Sequence, residues 1–168
     1  MQHLWTPWRM AYIKGEKQPT EGCVFCKKRD PESDDIEHVV ARSAYVYVTL
    51  NRYPYNNGHL MIVPYEHVQS QEDLPLDALT DMMLMVNRAL AALRKLYNPP
   101  AFNIGANIGA AAGAGIEEHY HFHIVPRWPG DANFMSVVGE TRVIPDTLDN
   151  TYRELKAVWQ ELSENKGE

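Results

Sequence analysis

Residues 116–128 read IEEHYHFHIVPRW. Three of the chain's 7 histidines, His119, His121 and His123, stand at strict alternate positions in it. Successive side chains of a β-strand point to opposite faces, so these imidazoles share one face of a strand, neighbours about 6.5 Å apart. Tyr120, Phe122 and Ile124 take the other face, toward the expected core. The pattern predicts a strand over 119–128, apolar inside and lined with imidazoles outside. Such a row has three readings. It is a set of surface histidines without a task, or a metal site built on His-x-His, or a site of covalent catalysis. In the last, one imidazole attacks phosphorus while its neighbours hold its tautomer and donate to phosphate oxygens. The stretch just upstream, IGAAAGAGIEE, favours catalysis, because backbone N–H groups with no Cβ in the way approach phosphates closely.

On either side the elements read as follows. AYVYVTLN (44–51) is β-branched and aromatic, a strand. YPYNNGH (53–59) carries turn signals. HLMIVP (59–64) is a second strand, ended by Pro64. Pro75 opens a helix, where its missing N–H costs nothing. Leu79, Met82, Val86, Leu90, Leu93 and Leu96 then form one apolar stripe, which Asn98-Pro99-Pro100 terminates. AFNIGAN (101–107) is a short strand. A second helix fits 147–163, with Tyr152, Leu155, Val158, Trp159 and Leu162 on one face. PESDDIE (31–37) reads as an acidic, solvated loop, and Trp5, Pro7 and Trp8 as part of a packing arm. Strands and helices do not alternate strictly, which favours α+β with an antiparallel sheet and one main helix packed on it.

At 168 residues, 45% hydrophobic and 23% charged, the chain fits one soluble domain. We expect an N-terminal arm (1–22), a core (about 23–130) and a C-terminal extension (131–168). A net charge of −6 argues against a broad basic face for nucleic acid, but not against an anionic small molecule bound at a local site. No apolar run approaches the roughly 20 residues of a membrane helix. The N-terminus lacks the apolar stretch of a signal peptide, so a cytoplasmic location without membrane partners is expected. The two cysteines, Cys23 and Cys26, are too close together to staple a secreted fold. In a reducing compartment such a pair binds metal or does redox work.

HYHFHIV resembles the His-φ-His-φ-His-φ-φ signature of the histidine triad (HIT) superfamily, where φ is apolar. LNRYPYNNGHLMIVPYEH (50–67) is similar to the superfamily's run of an Asn, a Gly-His pair, an apolar strand and Pro-x-x-His. GCVFC resembles the Cys-x-x-Cys that opens many members. LWTPWRMAYI (4–13) and GDANFMSVVGETRVIPDTL (130–148) resemble the diadenosine tetraphosphate phosphorylase-like branch. The resemblance implies a HIT fold: an antiparallel sheet of about five strands, one long helix and a C-terminal helix. It also implies a homodimer formed across sheet and helix, to which Met82, Met83 and Met85 contribute unless they simply pack the core.

By resemblance His121 is the nucleophile and forms a nucleotidyl-imidazole. His123 donates to a phosphate oxygen, and His59 supports the site from the adjacent strand. Asn51 matches the family's ribose-binding Asn, and Asn107 a side chain that reaches the phosphates. Gly113 and Gly115 shape the phosphate loop or are simply turn residues. Arg52 and Arg127 are anion contacts or solvated surface, and Glu117 and Glu118 orient His119 or face water. The implied ligands are adenine nucleotides or dinucleoside polyphosphates. Where many hydrolases of the superfamily carry Gln, Ser or Thr, this chain has Gly115 and Ile116. That argues against phosphoramidase or dinucleoside triphosphate hydrolase activity and is compatible with phosphorolysis of diadenosine tetraphosphate to ATP and ADP. Hydrolysis through the same intermediate is the alternative. A nucleotide-binding regulatory protein and an enzyme with zinc on the triad itself are further rivals. Members with the N-terminal cysteine pair complete a structural Zn site with two histidines, here His67 and His119. Against it stand a redox dithiol and two unliganded thiols.

Overall fold

The structure, a computed structural model, describes residues 22–131 and 144–164. The expected arm with Trp5, Pro7 and Trp8, and most of the segment 130–148, lie outside the described residues.

Two short helical turns, α1 (Val24–Lys27) and α2 (Asp34–Glu37), lead into the sheet. The strands are β1 (Val39–Arg42), β2 (Val46–Leu50), β3 (Leu60–Pro64), β4 (Ala101–Gly105) and β5 (Phe122–Arg127). They lie in the order β1-β2-β3-β5-β4, and every neighbouring pair is antiparallel. The long helix α3 (Leu76–Tyr97) connects β3 to β4, and α4 (Leu148–Glu164) follows the sheet. The architecture is the expected α+β one. Two expectations differ. PESDDIE folds into a 3-10 turn and α2 rather than an open loop, its first turn closed by the Asp30 carboxylate accepting from Glu32 N–H. The strand β1 had no turn signal around it to set it apart.

The sheet has two faces because side chains alternate. Val46, Val48, Leu50, Leu60, Ile62 and Ile124 face the helices. There they meet Met82, Met85, Val86, Ala89 and Leu93 of α3 and Tyr152, Leu155 and Trp159 of α4. Met82 and Met85 are therefore core residues, whereas Met83 is exposed. The helix α3 ends where expected. Asn98 takes the left-handed conformation (φ 43°) that Asn tolerates at a C-cap, its N–H donating to the Arg94 carbonyl. The opposite face of the sheet carries Tyr47, Met61 and Val63, packed with Val39 and with Phe25 from α1. His123 belongs to this second face, paired in register with Met61 on β3 and Gly105 on β4.

The histidine strand is shorter than its sequence pattern. It begins at Phe122, so His119 and His121 precede the ladder. Tyr120 N–H donates instead to the Val68 carbonyl at 2.6 Å, and the carbonyl of Pro64, the last residue of β3, accepts from the His119 ring. The face alternation survives this departure: Tyr120 joins the helix-side core, and the three imidazoles stay on the other face.

Candidate active site

Hydrogen bonds fix the state of each imidazole in the row. His121 is 6% exposed, and its Nδ1–H donates to the backbone carbonyl of His119 at 2.8 Å. The proton is thereby held on Nδ1, and the lone pair is on Nε2. Burial lowers the His121 pKa below the ordinary histidine value, against the opposing pull of the His119 carbonyl. The ring lies between Phe25 (centroids 4.9 Å apart) and His123 (4.8 Å).

A second chain of hydrogen bonds orients His123. The Tyr55 N–H (3.1 Å) and the Asn51 amide (3.3 Å) both donate to His59 Nδ1. His59 therefore carries its proton on Nε2 and donates to His123 Nδ1 at 2.9 Å. That leaves His123 with its proton on Nε2, a donor facing the open surface. Burial, and then the neighbouring His121, push the His123 pKa down to about 4. Asn51 and His59 are further tied by Asn51 N–H to the His59 carbonyl, 2.9 Å. Gly58 makes this possible. Its φ of +73° is glycine territory, and a Cβ there would lie 3.0 Å from Leu93 and 3.1 Å from Tyr97. The 51–59 loop thus presses against α3 and delivers His59 fully buried to the start of β3.

His119 belongs to a different group. Its Nε2–H donates to the Pro64 carbonyl at 2.9 Å, which turns the Nδ1 lone pair toward Cys23 Sγ (3.3 Å), Cys26 Sγ (3.6 Å) and His67 Nδ1 (3.2 Å). His67 Nδ1 lies 3.3 Å from Cys26 Sγ. The four ligand atoms all lie within 4.8 Å of one another. Bond lengths of about 2.0–2.3 Å in a tetrahedral zinc site imply ligand–ligand separations of about 3.3–3.8 Å. Two sulfurs and two imidazole nitrogens at these distances suit such an ion. Burial, foremost, lowers the His119 pKa to about 4, so the ring is neutral at pH 7. Burial and then the neighbouring Cys23 raise the Cys26 thiol above its ordinary value.

A cleft of about 370 Å³ opens beside His123 on the β4 side. Asn103 and Asn107 border it, with Tyr55 and Asn56 reaching over from the 51–59 loop. Arg127 and Asp131 close its far end, joined by two hydrogen bonds of 2.6 and 2.7 Å. Asp131 also accepts from Asn56 (2.6 Å) and Trp128 N–H (3.1 Å).

A model of the HIT domain matches residues 32–130. The chain belongs to the HIT family. The AP-4-A phosphorylase of two strains of Mycobacterium tuberculosis is 41% identical to this HIT protein over 174 residues, 95% of this chain and 85% of that one. The adenosine 5'-monophosphoramidase of Saccharomyces cerevisiae is 30% identical over 105 residues, 62% of each chain. Among solved structures, a zinc-bound histidine triad protein of Mycobacterium smegmatis superposes with a TM-score of 0.67 at 26% identity, covering 86% of this chain and 97% of that one.

The structure thus brings His121, His123, His59 and Asn51 together, gathers Cys23, Cys26, His67 and His119 beside them, and sets Asn107 at the cleft. Gly113 and Gly115 do not border the cleft; they lie on the 106–121 loop that precedes β5, and a Cβ at either would meet open space. Arg127 is held by Asp131 and Asn103. Arg52, Glu117 and Glu118 are exposed. Sequence reading missed Phe25, Tyr55, Asn56, Asn103 and Asp131. The position of Phe25 between the two cysteines was the one available signal; the rest depend on which loops meet across the sheet.

Proposed function

We propose that this HIT-family enzyme transfers a nucleotidyl group from a dinucleoside polyphosphate through His121, most consistently by phosphorolysis of diadenosine tetraphosphate to ATP and ADP. The observation that carries this reading is the Nδ1–H···O bond of His121, which leaves a neutral ring with its lone pair on Nε2, the nitrogen that would attack. Nε2 attacks the α-phosphorus, and the Nε2–P bond forms as the bond to the leaving phosphate oxygen breaks. The ring, still protonated at Nδ1, takes up positive charge that the His119 carbonyl offsets. His123 donates from Nε2 to the leaving oxygen as its charge builds, and His59 and Asn51 hold that donor in place. An oxygen of inorganic phosphate then attacks the same phosphorus, and Nε2 departs as neutral imidazole. Asn51 is also placed to meet the ribose, and Asn107 to reach the phosphates; Gly113 and Gly115 shape the loop before β5. The similarity to AP-4-A phosphorylase over most of the chain supports the substrate and the acceptor.

The cluster of Cys23, Cys26, His67 and His119 holds a structural zinc by this reading. The ion ties α1 to the sheet and leaves His121 and His123 free for chemistry. Cys26→Ser is expected to abolish stoichiometric zinc in the purified protein by plasma mass spectrometry, whereas His121→Ala leaves it unchanged. Zinc lost in His121→Ala would place the metal on the triad. A homodimer would use the β4 edge, where Ile104 is exposed, and the outer face of α3 around Met83 and Leu84.

The deciding experiment incubates the protein with diadenosine tetraphosphate, with and without inorganic phosphate, and resolves the products. ATP and ADP formed only with phosphate support phosphorolysis. ATP and AMP regardless of phosphate make water the acceptor. Turnover of no nucleotide overturns the enzymatic reading in favour of a binding protein.

A further inference from the structure

The histidine row divides the surface of the sheet. Asn51, His59 and the Phe25-bearing turn stand on the side of β2 and β3. The cleft stands on the side of β4, with His123 as its inner wall. A dinucleotide split at one phosphorus has a nucleoside to place on each side of the break.

We propose that the cleft between β4 and the 51–59 loop is the subsite for the leaving nucleoside. This rests on the reading of the protein as a dinucleoside polyphosphate enzyme and adds where the second half binds. The side chain that meets the leaving oxygen, His123, is itself the cleft wall, so the departing group is held on that side. Charge selects the part of the departing group that enters. Arg127 and Asp131 neutralise each other through two hydrogen bonds, and the other bordering side chains are uncharged at neutral pH. A polyphosphate gains little from such a cleft, and a nucleoside gains much. Tyr55 supplies a ring for a base to stack on, and Val125 and Ala106 supply apolar wall. The amides of Asn103 and Asn56 supply donors and acceptors for base edges or ribose hydroxyls. The volume of about 370 Å³ falls among small-molecule sites, which run from about 300 to 1,000 Å³.

The test compares two substrates that share the transferred half, diadenosine tetraphosphate and adenosine 5'-tetraphosphate, the latter with no second nucleoside. Initial rates are measured for the wild type, Asn103→Ala, which removes an amide, and Ala106→Trp, which fills the cleft. KM for the dinucleotide is expected to rise about 3- to 10-fold in Asn103→Ala, the worth of a hydrogen bond or two, and more in Ala106→Trp. The kcat/KM for adenosine 5'-tetraphosphate is expected to stay at the wild-type value in both. Parallel losses on both substrates in Ala106→Trp, or variants indistinguishable from an active wild type, overturn the subsite alone. A wild type that turns over neither compound overturns the functional reading, and the subsite with it.

Discussion

His121 and His123 carry the same side chain two positions apart, and their hydrogen bonds give them opposite roles. One presents a lone pair and the other a proton, because one Nδ1 donates to a carbonyl and the other accepts from His59. Replacement of His121 by Ala is expected to lower kcat by more than about 10³-fold, since the proposed nucleophile and its intermediate vanish together. His59→Ala tests the relay. With no partner at Nδ1, His123 is free to place its proton on either nitrogen, and kcat is expected to fall about 10²-fold with KM little changed. Steady-state kinetics on diadenosine tetraphosphate check both, and quenched-sample mass spectrometry is expected to find the nucleotidyl adduct at residue 121. The face shared by the three histidines was legible in their spacing. The relay was not, because Asn51, Tyr55 and His59 reach His123 across a strand boundary that spacing does not specify.

Among the elements, the 51–59 loop does the most to assemble the site. Its Asn-Asn-Gly turn was readable, but that Gly58 packs against Leu93 and Tyr97 of α3 was not. Gly58→Ala combines a positive φ with a crowded Cβ and is expected to destabilise the protein by about 1–3 kcal/mol. Gly113 also has a positive φ, +86°, but its Cβ would meet nothing, so Gly113→Ala is expected to cost less. Urea denaturation of the two variants decides the point. The turn α1 is the other element whose placement matters. Phe25 sits between its cysteines, its carbonyl accepts from the Tyr47 hydroxyl at 2.8 Å, and its ring meets both His119 and His121. The cysteine spacing pointed to metal binding or redox work; that the turn between the cysteines also walls His121 follows from the packing.

For the whole molecule, burial of the imidazoles sets a pH dependence. His123 titrates at about 4 in the folded state against about 6.5 in an unfolded chain, and His121 is shifted in the same direction. Between those values the unfolded state binds more protons, so stability rises with pH across about 4 to 6.5 and is lost as pH falls through that window. Denaturant unfolding of wild type and His123→Gln as a function of pH is expected to show a shallower slope in the variant. The sequence by itself determined the α+β class, the two amphipathic helices and the shared face of the three histidines, all of which depend on local periodicity. The grouping of Cys23 and Cys26 with His67 and His119 was implied by resemblance to the histidine triad superfamily, not by periodicity. Only the tertiary structure decided the tautomer of each imidazole, the departure of His119 and His121 from the ladder, and the cleft between β4 and the loop. Each of these is set by contacts between segments far apart in the chain, where an unmade hydrogen bond costs more than any local preference supplies.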